Sequence, residues 1–238
     1  MRLTILMYHK VDVPPPGVRT PGNFVSPDAF TAQMDALLSW GYQPVTFDRW
    51  LDYRLGSTTP LPPKPLIVTF DDGYTCFDQH AWPVLRARKM SATVFLVAGQ
   101  IGGTNAWEDG EVPMSLLDES RIRALQDEGV HFGSHSVNHR PLARISPDDA
   151  FQELARSRWT LAELLGRDVD VFAYPFSNQS RAVRALAEQA GYRCAVRGKG
   201  RMNSRRTDPF GLMRIKVEPT TTVAGLRSVL FRERLRPF

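Results

Sequence analysis

Residues 66–73 read LIVTFDDG, an apolar run that ends in two adjacent carboxylates and a glycine. Branched and aromatic residues bounded by turn formers are typical of a buried strand, and Asp-Asp-Gly is common in turns. After such a strand, Asp71 and Asp72 would lie at its carboxyl end, where parallel α/β barrels build their sites. The stretch therefore predicts a buried strand followed by two candidate site residues, and an ordinary turn is the alternative interpretation.

Seven other segments share the length and apolar character of this strand. They comprise residues 3–8, 44–47, 92–97, 130–134, 171–174, 193–196 and 212–217. Helical segments with clear caps and stops separate them, at 26–41, 118–129, 146–166, 180–191 and 223–235. This alternation predicts an α/β fold with parallel strands, and the length of 238 residues with this strand count favours a single-domain barrel over an open sheet.

The composition is that of an ordinary soluble globular protein, with 42% hydrophobic and 23% charged residues. The formal net charge of +5 favours an anionic partner only weakly, and no recognised motif indicates nucleic acid, so none is expected. Basic residues concentrate in 197–206 and in the last helix. A solvated cationic face is the simpler interpretation, and contact with an anionic lipid or membrane surface is the sharper one.

No secretory signal and no apolar run of bilayer length are visible. We therefore expect a cytoplasmic protein, free or peripheral to the membrane, unless a leader was removed. Cys76 and Cys194 lie far apart without Cys-x-x-Cys spacing, so two buried thiols are expected rather than a disulfide. The sequence does not indicate the oligomeric state.

A second polar motif, HSVNH at residues 135–139, follows the predicted strand 130–134. Its spacing brings His135 and His139 to one side of a helical turn or of a compact loop, as two metal ligands require. One aspartate with two histidines leaves open positions on a divalent metal, and the second aspartate is then free to act as a base. Histidines that merely cap a turn are the alternative interpretation.

Hydrolysis of an amide also needs a general acid for the leaving amine. No histidine follows His139, while His131 lies in a predicted strand and His80 at the start of a helix. By elimination His9, at the end of the first strand, is the best candidate for the acid. A histidine with a purely structural hydrogen bond is the alternative.

Residues 174–176, YPF, follow another predicted strand. Because proline removes one donor and stiffens the turn, the next N–H, that of Phe176, could point into the site and bind a developing oxyanion. An ordinary turn is nearly as good an interpretation. Trp82 and Trp107, the latter near Asn105 and Glu108, are candidates for stacking on sugar rings, although most tryptophans serve in cores.

These segments resemble the motifs of the polysaccharide deacetylase family, also called carbohydrate esterase family four. Residues 69–73 are similar to its first motif, 135–139 to its second, and 174–176 to the core of its third. The resemblance implies a distorted (β/α)7-8 barrel in a single domain. Its typical reaction removes the N-acetyl group of an amino sugar.

The resemblance also implies roles for individual residues. A divalent metal, usually zinc, is implied on Asp72, His135 and His139. Asp71 is implied as the base, and the Phe176 N–H as part of the oxyanion hole.

Two features depart from the family pattern. The third motif usually has an arginine shortly before its proline, but residues 171–174 read VFAY. The last motif usually supplies a late histidine as acid, but residues 214–217 read RIKV. A subgroup similar to the poly-N-acetylglucosamine deacetylases also begins with a Tyr-His strand end, as at Tyr8-His9, and there the early histidine is the implied acid.

The leading hypothesis is a metal-dependent N-deacetylase, most simply a zinc enzyme, that acts on an acetylated amino sugar in an oligosaccharide, polysaccharide or glycolipid. One alternative is a deformylase or other amidohydrolase acting on a lipid-linked sugar or a small cyclic amide. Another is a glycan-binding module without turnover, which the two departures from the family pattern would favour. The partner in every case is a carbohydrate or a related amide.

Overall fold

Parallel strands dominate the computed structural model, which describes residues 1–198 and 200–236. In these residues the strands are β1 (Thr4–Tyr8), β2 (Lys10–Val11), β3 (Phe24–Val25), β4 (Gln43–Pro44), β5 (Pro65–Phe70), β6 (Thr93–Leu96), β7 (His131–Ser134), β8 (Val171–Ala173), β9 (Cys194–Arg197), β10 (Leu212–Met213) and β11 (Ile215–Lys216). Strands β2 and β3 pair with each other. The remaining strands form one sheet in the order β10-β9-β8-β7-β6-β5-β1-β11, with β4 beside β5.

The sheet closes on itself because β10 and β11 are two halves of one strand that is interrupted at Arg214. Strand β10 pairs with β9, with Leu212 opposite Val196. Strand β11 pairs with β1 on the other side, with Ile215 opposite Leu6. The result is a nearly closed parallel barrel in a single domain, so the predicted distorted (β/α)7-8 barrel is confirmed.

The helices are α1 (Pro27–Ser39), α2 (Phe47–Arg54), α3 (Trp82–Ala87), α4 (Glu119–Asp127), α5 (Pro147–Leu165), α6 (Arg181–Gln189) and α7 (Val223–Leu235). Ser26 and Ser146 cap α1 and α5 as predicted, each accepting a hydrogen bond from a backbone N–H three residues on. Gly166 ends α5 in the left-handed region, with φ of 64°. Within the described residues, no helix is both long enough and apolar enough to cross a membrane.

Two of the predicted elements differ from the structure. The strand predicted at 44–47 is only Gln43–Pro44, because Thr46 accepts a hydrogen bond from Arg49 N and caps a helix that begins at Phe47. The strand predicted at 212–217 is divided at Arg214. The cysteines are free and buried, as expected.

Alternation along the strands separates the two faces of the sheet. Residues such as Leu6, Val68 and Phe172 face outward and pack in a core with the surrounding helices. Inside the barrel, Ile5, Ile67 and other apolar residues join a second core with Phe47, Trp50 and Leu51 of α2. Helix α2 thereby covers the amino-terminal end of the barrel with apolar side chains.

The same alternation determines which residues reach the carboxyl-terminal end. Asp71 follows the inward-facing Ile67 and Thr69 by four and two positions, and His135 follows Gly133 by two. Gly133 is required there, because a Cβ atom would lie 2.6 Å from the Phe95 ring that fills the barrel. Because Asp71 and His135 continue the inward-facing positions of their strands, both lie at the carboxyl-terminal rim of the barrel.

Candidate active site

Asp72, His135 and His139 converge at this rim, and each offers one ligand atom within 4.8 Å of the others. Asp72 Oδ1 lies 3.5 Å from His135 Nε2 and 3.4 Å from His139 Nε2, and all three side chains are buried. Among the residues that the structure describes, none forms a hydrogen bond with the buried Asp72 Oδ1. A carboxylate and two imidazoles form the donor set of many divalent-metal sites, so these residues could bind a metal.

The convergence depends on unusual backbone conformations. Asp72 has a φ of 76°, in the left-handed region and not in the extended one. Asp71 and Asp72 both line one cleft at this rim. Ser136 and His139, with φ of 67° and 55°, make the second motif a compact loop rather than a helical turn. Such non-glycine conformations persist where the surroundings hold them.

Glu153 of α5 holds this loop from behind. Its buried Oε2 accepts hydrogen bonds from Val137 N at 3.0 Å and Asn138 N at 2.8 Å, and its Oε1 accepts one from Asn138 Nδ2 at 2.7 Å. Ser136 Oγ accepts a further bond, from His139 N at 2.9 Å. The loop is therefore fixed through its backbone, which orients both imidazoles.

His135 is held in the tautomer and charge state of a metal ligand. Its Nδ1 lies 2.7 Å from the Ala173 carbonyl oxygen, to which it donates, so Nε2 presents a lone pair towards Asp72. Burial lowers the pKa of His135 to about 4, against the opposing effect of the nearby carboxylates. The ring is therefore neutral near pH 7.

Asp71 is paired with Arg214, a residue that the sequence analysis did not identify. The guanidinium donates two bonds to the carboxylate, Nη1 to Oδ1 at 2.6 Å and Nη2 to Oδ2 at 2.7 Å. Both side chains are buried, and Arg214 also lies over the ring of Phe95. This geometry is the bidentate arrangement that makes such pairs strong.

Arg214 changes the meaning of both departures from the family pattern. Residues 171–174 contain no arginine, but Arg214 lies between the two halves of the closing strand, in the region where the late histidine was missing. The signal available in the sequence was a cation two residues after the inward-facing Leu212, in a predicted strand whose other charged residue is Lys216.

Charge and burial act in opposite directions on Asp71. Burial raises the pKa of this carboxyl group, but the Arg214 guanidinium and its hydrogen bonds prevail and the pKa lies below its ordinary value. His9 Nε2 lies 3.9 Å from Asp71 Oδ2. Burial is the main reason why the pKa of His9 is lowered from 6.5. His9 is thus close to the predicted base, and its role as the acid stays a prediction.

Phe176 lies in a short 3-10 turn, Pro175–Ser177, with a φ of 56°. Within residues 1–198 and 200–236, its N–H has no hydrogen-bond acceptor. Its ring packs edge-on against His139 and is 64% exposed. An N–H without a partner beside the metal ligands fits the predicted oxyanion role, which also stays a prediction.

A cleft of about 450 Å³ opens above these residues. It is lined by Met7, His9, Asn23, Asp71, Asp72, Glu108, His135, His139, Tyr174, Phe176, Ser177, Gly198, Arg214, Lys216 and Glu218. Trp107 contacts its wall, because its ring stacks on His139 with centroids 4.8 Å apart. Trp82 is instead buried and donates to Glu128, so it serves the core and not the cleft.

The chain matches the family model described as polysaccharide deacetylase over residues 58–195. It belongs to the polysaccharide deacetylase family. The matched segment includes the Asp71-Asp72 pair, both loop histidines and Phe176, whereas His9 and Arg214 lie outside it. Membership supports a hydrolase that deacetylates carbohydrate.

Individual relatives agree with this assignment. The chain is 28% identical over 220 residues to YxkH of Bacillus subtilis (strain 168), named as a presumed polysaccharide deacetylase, and covers 72% of its length. It is 23% identical to a poly-β-1,6-N-acetyl-D-glucosamine N-deacetylase of Staphylococcus aureus (strain MRSA252), of which it spans 58%. The solved structure of the Streptococcus pyogenes deacetylase PplD in complex with acetate shares its fold, with a TM-score of 0.84, 24% identity and coverage of 97% of this chain and 98% of PplD.

Proposed function

We propose that this polysaccharide deacetylase is a metal-dependent N-deacetylase that removes acetyl groups from an amino sugar of an oligosaccharide, polysaccharide or glycolipid. The observation that carries the proposal is the juxtaposition of the buried Asp72, His135 and His139 with an aspartate, Asp71, that already has its own cation. The named substrate of the Staphylococcus aureus relative and the acetate bound to PplD support an N-acetylated amino sugar.

The two aspartates have separate tasks in this proposal. Asp72, His135 and His139 would hold a divalent cation, most simply zinc, which supplies Lewis acidity for attack on an amide carbonyl. Asp71 accepts the proton of the attacking water. Its bidentate pairing with Arg214 keeps the carboxylate ionised and orients it towards the substrate.

Two further groups complete the chemistry. The unpartnered Phe176 N–H binds the oxyanion that develops on the acetamide oxygen, since a preorganised donor in a site shielded from water stabilises such charge. His9 protonates the amine of the sugar as acetate departs. Its separation of 3.9 Å from Asp71 lets both residues act on the same bound substrate.

The glycan-binding alternative depended on the missing arginine and the missing late histidine. Arg214 and His9 supply the corresponding groups from the two ends of the barrel sequence, which favours turnover over simple binding. The other alternative, a deformylase or other amidohydrolase, acts on a lipid-linked sugar or a small cyclic amide and is separated by the choice of substrate.

The test is acetate release from β-1,6-linked N-acetylglucosamine oligomers by the purified full chain. We expect activity to disappear on chelation and to return on stoichiometric addition of Zn²⁺. Matched N-formyl and lipid-linked substrates would separate the alternatives. Acetate release that is insensitive to chelation, or a reloaded protein that hydrolyses none of these amides, would contradict the proposal.

A further inference from the structure

Glu108, on the wall of the cleft, is held by an unusually one-sided set of contacts. Asn105 Nδ2 donates to its Oε2 at 2.6 Å and Tyr74 OH at 3.2 Å, and Lys10 Nζ lies 3.4 Å from the same atom. No described residue donates to Oε1 of this side chain. One carboxylate oxygen is therefore fixed by the protein, and the other is left for something else.

The environment of Lys10 explains why the Glu108 side chain is held in place. The Lys10 side chain is 1% exposed, and its Nζ lies 4.3 Å from the centre of the Tyr74 ring and 5.1 Å from that of Phe24. A buried ammonium needs a paired anion, and Glu108 is the carboxylate within ion-pair distance. The Asn105 amide, also buried, adds the shortest hydrogen bond. These contacts preorganise Glu108 before any ligand binds.

The position of Glu108 in the cleft indicates which ligand its Oε1 can contact. Glu108 lines the same cleft as Asp71, His139 and Phe176, and its side chain is 17% exposed. Its neighbour Trp107 stacks on His139, one of the three converging ligand residues. A ligand that places an acetamide near Asp71 would therefore extend along Glu108.

We propose that Glu108 is a substrate-binding residue, whose Oε1 accepts a hydrogen bond from the amino sugar that occupies the cleft. This inference rests on the proposed function. The donor is either a ring hydroxyl or the ammonium of a sugar that has already lost its acetyl group. A carboxylate recognises both, and strengthens the bond relative to a neutral acceptor.

The test measures kcat and KM with N-acetylglucosamine oligomers for the zinc-loaded full chain and its Glu108→Gln variant. We expect KM to rise about tenfold with little change in kcat, because a charge-assisted hydrogen bond to the bound sugar is weakened. A fall in kcat at constant KM would overturn the inference. Glu111→Gln is the matched control, because Glu111 lies on the same loop but outside the cleft and bonds to Arg19 and Thr20.

Direct binding separates this inference from the proposed function. Oligomers that are fully acetylated or partly deacetylated are titrated into the Asp71→Asn chain with and without Glu108→Gln. Weaker binding of both oligomers supports a hydroxyl donor, and weaker binding of only the deacetylated one supports the ammonium. Equal affinities with and without Glu108→Gln overturn the inference alone, whereas a parent chain that binds neither oligomer contradicts the proposed function. If Glu108→Gln does not fold, Glu108→Asp keeps the charge beside Lys10, withdraws the carboxylate by one methylene, and gives the same contrast.

Discussion

Each end of the barrel holds an aspartate paired with an arginine, yet the two pairs differ in everything around them. At the carboxyl-terminal end, Asp71 and Arg214 form two short bonds with 4% and 1% of their side chains exposed. At the amino-terminal end, Asp170 and Arg193 approach to 3.4 Å with 27% and 37% exposed. Water solvates the second pair and weakens its attraction. The first pair is removed from water, so its charges must be compensated by groups of the protein.

The two pairs have the same residue types, so burial is what distinguishes the pair in the candidate site from the pair at the other end. Between the two ends lies the apolar interior with Ile5, Ile67 and Val196, which α2 covers from below. The Asp71–Arg214 pair lies against this apolar interior, beside Phe95. Its charges therefore face each other, the neighbouring His9 and Thr69, and whatever enters the cleft.

The largest effect is expected for Asp71→Asn, which removes the base and leaves the three proposed metal ligands intact. We expect kcat for acetate release to fall by about 10²–10⁴-fold, the usual contribution of a positioned base, with Zn²⁺ still bound. Asp170→Asn is the matched change at the other end and should leave kcat unaltered. Near wild-type turnover of a zinc-loaded Asp71→Asn protein would refute the assignment.

The next effect concerns stability. Arg214→Met leaves Asp71 buried without its cation, so we expect the free energy of unfolding in urea to fall by about 3–5 kcal/mol. The double variant Asp71→Asn with Arg214→Met removes both charges and should regain most of that loss without regaining activity. A similar loss in the double variant would show that the arginine acts through packing and not through charge.

A smaller effect is expected for Glu153→Gln, behind the histidine loop. The new amide would turn a donor towards either the two backbone N–H groups or Asn138 Nδ2, so at least one of the three observed bonds must break. We expect the affinity for Zn²⁺ to fall about 10- to 100-fold, as for other groups that orient metal ligands. Calorimetric titration measures it, and Glu163→Gln, exposed on the same helix, is the control. Unchanged affinity would mean that the loop holds its shape unaided.

The smallest effect is expected in the apolar interior. Ile67→Val removes one methyl group two residues below Thr69 and should lower the free energy of unfolding by about 0.5–1.5 kcal/mol. Because Ile67 belongs to the apolar cluster inside the barrel and does not line the cleft, kcat and Zn²⁺ affinity should not change. A loss of activity without a loss of stability would contradict the separation between the two ends.

Much of the fold was predictable because its signals are local. Serines that cap helices, Gly166 and the period-two strands each act within a few residues, and they place Asp71, His135 and Phe176 after strands that are parallel in the structure. Helix α2 was missed because a short apolar stretch fits both a strand and a helix, and the Thr46 cap decided between them.

The site was only partly predictable because some of its contacts are not local. Arg214 pairs with Asp71 although 143 positions separate them in the sequence, and no local pattern near either residue predicts the pair. The left-handed conformation of Asp72 depends on tertiary contacts that no dipeptide preference encodes. The proposed interaction of the basic segments with anionic lipid stays a prediction, and Lys199 in the first of them lies outside the described residues.

The divided closing strand has a consequence for how the protein is made. A ribosome releases Asp71 long before Arg214, so during most of synthesis this aspartate is hydrated and has no counter-charge. A nascent chain halted just after residue 195 would contain the entire segment matched by the family model. It would nevertheless lack the guanidinium and the strand that joins β9 to β1, so the Asp71–Arg214 pair and the closure of the barrel both wait for residues 212–216.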